Sequence, residues 1–235
     1  MNSHNLTTVE VIQKIVKENS SIQWINIHSY PDGPQLQERV KFNRIEEFHY
    51  SNALKLRKSY NVPFWDALML SFYNKKEFSV EILENVLNSH SKKGLQLVSR
   101  NDILHNKLLN LACSDENYAI NSKVIVEENR IKHFLLLDFH IPENDKNQKV
   151  VEAILRILKV KSGFLLKSGK SYHFFGTELI STSTLTKFLG KCLFFTPIID
   201  KTWIAHQLIE RSCSIRFTRK NNLFPTVIEQ IDNSF

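Results

Sequence analysis

The sequence predicts an α+β fold: an antiparallel ferredoxin- or RRM-like sheet over about residues 133–220, preceded by a mostly helical N-terminal module. Three observations predict it. Residues 133–141 are an apolar run without glycine, closed by Pro142, which marks a strand. Val150, Val151, Ile154, Leu155 and Leu158 recur at helical spacing within residues 145–159, which marks an amphipathic helix. Two short apolar runs, 163–167 and 171–175, flank Ser168-Gly169-Lys170, a tight turn that makes them a hairpin. With helical stretches at 182–193 and 200–211 and a strand at 214–219, the order is β-α-β-β-α-β with one helix position doubled. Such a sheet carries helices on one face and leaves the other free for a ligand.

The earlier elements follow in order. Thr7 to Glu10 fits a capping box that opens a helix ending near Glu18. Residues 22–28 form a strand, ended by the turn Pro31-Asp32-Gly33-Pro34. A helix covers 44–60, and Pro63 opens another over 64–73. Ser79 caps a helix with Ile82, Leu83, Val86 and Leu87 on one side. Residues 94–99 are a short strand, and Asn101 caps a helix bearing Leu104, Leu108 and Leu111. Residues 122–127 and 131–141 form a hairpin turning at Glu128-Asn129-Arg130. There is no repeat and no Gly/Ser linker. The expected organisation is a helix-rich module over 1–120 and a core over 121–235, packed as one compact unit with a boundary near 115–121.

Composition bounds the function. The chain of 235 residues is 42% hydrophobic, enough for a sizeable core and too much for disorder. A net charge of +7 and a pI near 9.2 favour a polyanionic partner. Cys113, Cys192 and Cys213 are too few and too scattered for a disulfide framework or a zinc site, which suits a reducing, cytoplasmic setting. No signal peptide is present, and no apolar run reaches the ~18 residues of a membrane span. Trp24, Trp65 and the phenylalanines read as core before they read as base-stacking platforms. Lys55, Arg57, Lys58, Lys75 and Lys76 read as solvated helix faces.

Chemistry concentrates between Asp138 and Lys220. Alternation along the strand places Asp138 and His140 on one face, about 7 Å apart at ~3.3–3.4 Å per residue; Leu135, Leu137, Phe139 and Ile141 take the other. An acid at the end of a buried strand calls for a partner or a metal. The Ser168-Gly169-Lys170-Ser171 turn offers backbone N–H groups and hydroxyls to an anion. His173 is either a phosphate contact or a cross-strand partner of Lys167. Asp200 opens a helix and is either its N-cap or a ligand. Arg216 and Lys220 hold phosphates or are edge-strand charges.

These residues resemble, in order and spacing, the three motifs of the archaeo-eukaryotic primase superfamily, which includes the primase-polymerases. Asp138-Phe139-His140 is similar to its metal-binding acid pair, Ser168 through His173 to its phosphate-contacting turn, and Ile199-Asp200 to its closing acid. The basic strand at 215–220 is similar to one that often follows. The resemblance covers roughly residues 120–225. It implies a nucleotidyltransferase of DNA replication acting on nucleoside triphosphates and single-stranded DNA or RNA. It implies Asp138, His140 and Asp200 as catalytic ligands of a divalent metal, Mn or Mg. It implies Ser168, Gly169, Lys170, Ser171, His173, Arg216 and Lys220 as nucleotide contacts, and a second protein subunit as a partner. One departure stands out: His140 occupies the place of the second acid. An imidazole supplies nitrogen without charge, and it favours Mn or Zn over Mg. The alternative reading is therefore a catalytically degenerate module that binds nucleotide or nucleic acid. A third reading, an HUH-type nickase, needs a tyrosine on a helix after the hairpin. Tyr30, Tyr50, Tyr60, Tyr73, Tyr118 and Tyr172 all lie elsewhere.

Overall fold

A computed structural model describes residues 6–30, 44–73, 80, 84, 87, 93–114, 116–219 and 223–233. The chain forms two compact units, Met1–Pro31 with Lys93–Phe235, and Asp32–Lys92. This division differs from the boundary expected near 115–121, because the two strands that flank the inserted unit belong to the same sheet as the later ones.

In the inserted unit, helices α2 (Arg44–Tyr60) and α3 (Phe64–Phe72) pack around Tyr50, Ala53, Phe64, Ala67, Leu68 and Phe72. Lys55, Arg57 and Lys58 are exposed, as a solvated face requires. The turn at Pro31-Asp32-Gly33-Pro34, Lys75, Lys76 and the helix cap at Ser79 lie outside the described residues.

The larger unit opens with α1 (Thr8–Glu18), and Thr7 and Glu10 form the capping box that the sequence predicts. The strands are β1 (Ile22–Tyr30), β2 (Lys93–Ser99), β3 (Asn117–Val126), β4 (Ile131–Asp138), β5 (Ser162–Lys167), β6 (Tyr172–Ile180), β7 (Ser214–Arg216) and β8 (Thr226–Asp232). They form one antiparallel sheet in the order β2-β1-β3-β4-β6-β5-β8, with β7 paired to β3. Between β2 and β3 the single helix expected after Asn101 is two short ones, α4 (Arg100–Leu104) and α5 (Lys107–Ala112). Ser99, not Asn101, caps the first: its hydroxyl accepts the Asp102 N–H.

The later helices are α6 (Asp145–Ile157), α7 (Thr182–Cys192) and α8 (Lys201–Glu210). Strand β4, helix α6 and strand β5 make a crossover with β6 lying between the two strands, as the sequence pattern predicts. The last strand departs from that pattern. Two helices separate β6 from β7, and each reverses the chain. Strand β7 runs antiparallel to β3, and so does β4; β7 is therefore parallel to β4 and takes its hydrogen bonds from β3.

The sheet centre is covered on both faces, so the expected open face does not exist there. Asp138 shares its face with Leu136, whose partners across the sheet are Phe175 and Phe164; all three are 1% exposed or less. Leu137, Phe174 and Leu165 on the opposite face are equally buried. The cover on the Asp138 side includes α1, whose Lys14 ammonium lies 5.7 Å from the Phe164 ring centroid. Trp24 departs from its core reading and is 41% exposed on β1. No described helix is long and apolar enough to cross a membrane.

Candidate functional site

The site lies where β4 ends. Asp138 and His173 are direct partners across β4 and β6, and the Asp138 carboxylate is 3.4 Å from the His173 Nε2. The imidazole side chain is 7% exposed and the carboxylate 38%, so the buried ring faces an acid that solvent reaches. His173 lies opposite Leu166, and Lys167 opposite Tyr172. Of the two readings of His173, the cross-strand pairing with Lys167 does not occur; its strand partners are Leu166 and Asp138.

Beyond Asp138 the backbone is held from both sides. The Phe139 N–H donates to the Tyr172 carbonyl at 3.0 Å, and the His140 N–H to the Ile198 carbonyl at 2.6 Å. Phe139 also bridges Ile199 in the antiparallel sense. Asp200 is the next residue along the chain. The Asp200 carboxylate accepts the Trp203 N–H at 3.1 Å and caps α8, so the N-cap reading of this residue holds. His140 is half-buried where the chain leaves the strand.

The turn at 168–171 is fastened to the end of β4. The Ser168 N–H donates to the Ser171 carbonyl at 2.8 Å and closes it. The Ser171 hydroxyl donates to the Phe139 carbonyl at 2.6 Å and accepts the Ile141 N–H at 3.0 Å. That hydroxyl therefore serves the backbone. Gly169 adopts φ +105°, and a side chain there would meet nothing within 4 Å; the outer side of the turn is open. Lys170 is exposed beside it.

Arg216 joins β7 to this turn. Its guanidinium donates to the Ser168 carbonyl at 3.1 Å and to the Thr218 carbonyl. Lys220 lies outside the described residues. Glu143 forms an ion pair with Lys167 at 3.4 Å, and Asp145 is the first residue of α6. Buried Tyr172 completes the support: its hydroxyl accepts the Asn144 N–H at 2.8 Å and donates to the Asn144 carbonyl at 2.9 Å. Burial pushes this phenol above its usual range.

Asp138, His173, Ser168, Ser171 and Arg216 thus belong to one end of the sheet, and Asp200 follows the residue bridged to Phe139. Sequence reasoning missed the Tyr172–Asn144 clamp and the Asp138–His173 pairing. The hairpin's own register sets His173 opposite Leu166; the pairing with Asp138 belongs to β4 and β6, which no hairpin joins, so no local signal carries it.

A two-ion centre for phosphoryl transfer needs several anionic donors converging on one point. Among the described residues, no group of three or more His, Cys, Asp or Glu side chains is placed to hold a metal ion. Asp138 faces His173, and one Asp200 oxygen is engaged by the helix it caps. Asp138, His140 and Asp200 therefore do not form a preassembled three-ligand group in this structure.

A family model described as archaeo-eukaryotic primase 1D-like matches residues 98–229, more than half of the chain. No curated protein and no solved structure matches it.

Proposed function

The chain belongs to the archaeo-eukaryotic primase family, in its 1D-like group, and from that membership we propose that it binds a nucleoside triphosphate at the turn end of the sheet without transferring it. The observation that carries this reading is the Arg216–Ser168 bond. It joins β7 to the outward-open Gly169-Lys170 turn, so that a guanidinium, a lysine and turn backbone border one patch. Arginine forks and backbone turns suit phosphate oxygens. His173 holds Asp138 at the inner edge of the patch. Single-stranded DNA or RNA is the polymer a net charge of +7 would favour.

A second reading has one observation in its favour. The Phe139–Ile199 bridge brings the segment that leads into Asp200 beside the end of the Asp138 strand, which supports metal-dependent nucleotidyl transfer of the kind the resemblance implies. The full chain decides between them. Binding of a fluorescent ATP analogue is titrated with and without EDTA, beside nucleotide incorporation on primed and unprimed single-stranded templates in Mg or Mn. Metal-independent binding weakened by Arg216→Ala, with no incorporation, is the expected result. Mn- or Mg-dependent product lost in Asp138→Ala would establish the second reading instead. Absence of ATP binding in every condition would overturn both.

A further inference from the structure

A cavity of about 300 Å³ opens on the sheet face opposite Asp138, between the end of α6, the start of β5 and α7. Leu135 lines it, and residues 135 and 138 alternate to opposite faces of β4. Its floor is apolar: Leu158, Val160 and Phe188 are each 9% exposed or less. Its rim is basic. Lys159, Lys187 and Lys191 are exposed there. A fourth lysine, Lys161, is paired with Glu178 at 3.2 Å. Among the described residues the other three have no carboxylate partner within salt-bridge distance.

We propose that this pocket docks an acidic peptide of a partner protein, which inserts one apolar side chain between Leu158, Val160 and Phe188 while its carboxylates meet Lys159, Lys187 and Lys191. Charge complementarity selects an anionic occupant, and the apolar floor selects one that also carries a hydrophobic anchor. A nucleotide fits less well. Base recognition needs an exposed aromatic face or converging polar edges, and Phe188, the aromatic residue of the lining, is 9% exposed. Lysines at a rim act as point charges on flexible stems, which suits a run of peptide carboxylates. This inference does not depend on the nucleotide reading, since it uses none of those residues.

The test uses the full chain and a fluorescein-labelled Asp-Asp-Asp-Phe-Asp-Asp peptide, followed by anisotropy at low and high salt. The charge-reversal variant Lys187→Glu/Lys191→Glu is expected to weaken binding by about tenfold or more, as is replacing the peptide phenylalanine by serine. The neutral pair Lys187→Gln/Lys191→Gln, expected to give an intermediate loss, keeps the test valid if charge reversal disturbs folding. No binding by the parent chain, equal binding by the serine peptide, or unchanged affinity in the variants would overturn the proposal. So would loss of oligothymidylate binding in the variants with peptide binding intact, which would assign the pocket to nucleic acid.

Discussion

The His173 Nε2 stands 3.4 Å from the Asp138 carboxylate across the β4–β6 pair. One partner is buried and the other solvent-reaching, so the acid is positioned by a ring that cannot move without disturbing the core. The two residues are expected to be energetically coupled. A double-mutant cycle of Asp138→Asn and His173→Gln, read by urea unfolding, should give a coupling of roughly 0.5–3 kcal/mol. Additive losses would mean that the contact holds nothing together.

His133 supplies a pH dependence that is separate from the site. Its ring is fully buried, with Nδ1 3.0 Å from the Ser122 hydroxyl and Nε2 3.0 Å from the Thr182 hydroxyl. Burial first, and then the Lys123 charge, push its pKa down to about 4 from 6.5. The unfolded chain therefore binds a proton that the folded chain refuses. Stability from this residue is complete above about pH 6.5 and falls as the pH drops through the window to about 4. The loss is of order 3 kcal/mol. Urea midpoints measured across that range should drop more steeply in the parent chain than in His133→Gln; parallel curves would refute the assignment.

The cysteines should divide by reactivity. Cys113 is exposed, whereas Cys192 and Cys213 are buried, and burial pushes the Cys192 thiol up to about 12. Thiolate is the reactive form. Maleimide under native conditions should label Cys113 alone, with the other two reacting only after denaturation, as read by peptide mass mapping. Rapid native labelling of Cys192 would contradict the packing around α7.

Gly163 lies within β5 and Gly169 in the turn that follows it, and the two should respond differently to alanine. A Cβ at Gly163 would enter the Phe174 ring and the Phe175 carbonyl. The backbone part of that clash cannot be relieved by a rotamer, so Gly163→Ala should cost about 1–3 kcal/mol or more. At Gly169 space is open but φ is +105°, so Gly169→Ala should cost about 1–2 kcal/mol. Thermal unfolding of both variants checks the order; a milder Gly163→Ala would show that the β5–β6 pair can separate at little cost.

What was legible in the sequence was whatever local periodicity and chemistry impose. The capping box at Thr7 and Glu10, the strand that carries Asp138 (expected to run to Ile141, but ending at Asp138), the amphipathic α6, the hairpin closed by Ser168 to Ser171 and the helix opening at Asp200 all depend on residues within a few positions of one another. The family resemblance was legible for the same reason, since its motifs are short and each sits on one element. The hairpin's register sets His173 against Leu166 and says nothing of Asp138.

Tertiary structure decided the rest. Nothing local says that β1 and β2 join the later sheet, that α1 helps cover the face of Asp138, or that β8 adds an edge beside β5. Those pairings bring together residues from 59 positions apart, as Lys167 with Thr226, to 150 apart, as Lys14 with Phe164, and they are chosen by which apolar surfaces remain to be buried. The sequence by itself determined the elements and the chemical groups offered at the end of β4. Only the fold determined which groups meet: Asp138 with His173 and Arg216 with Ser168, because hydrogen-bond register and core packing set side-chain neighbours that periodicity along one segment cannot specify.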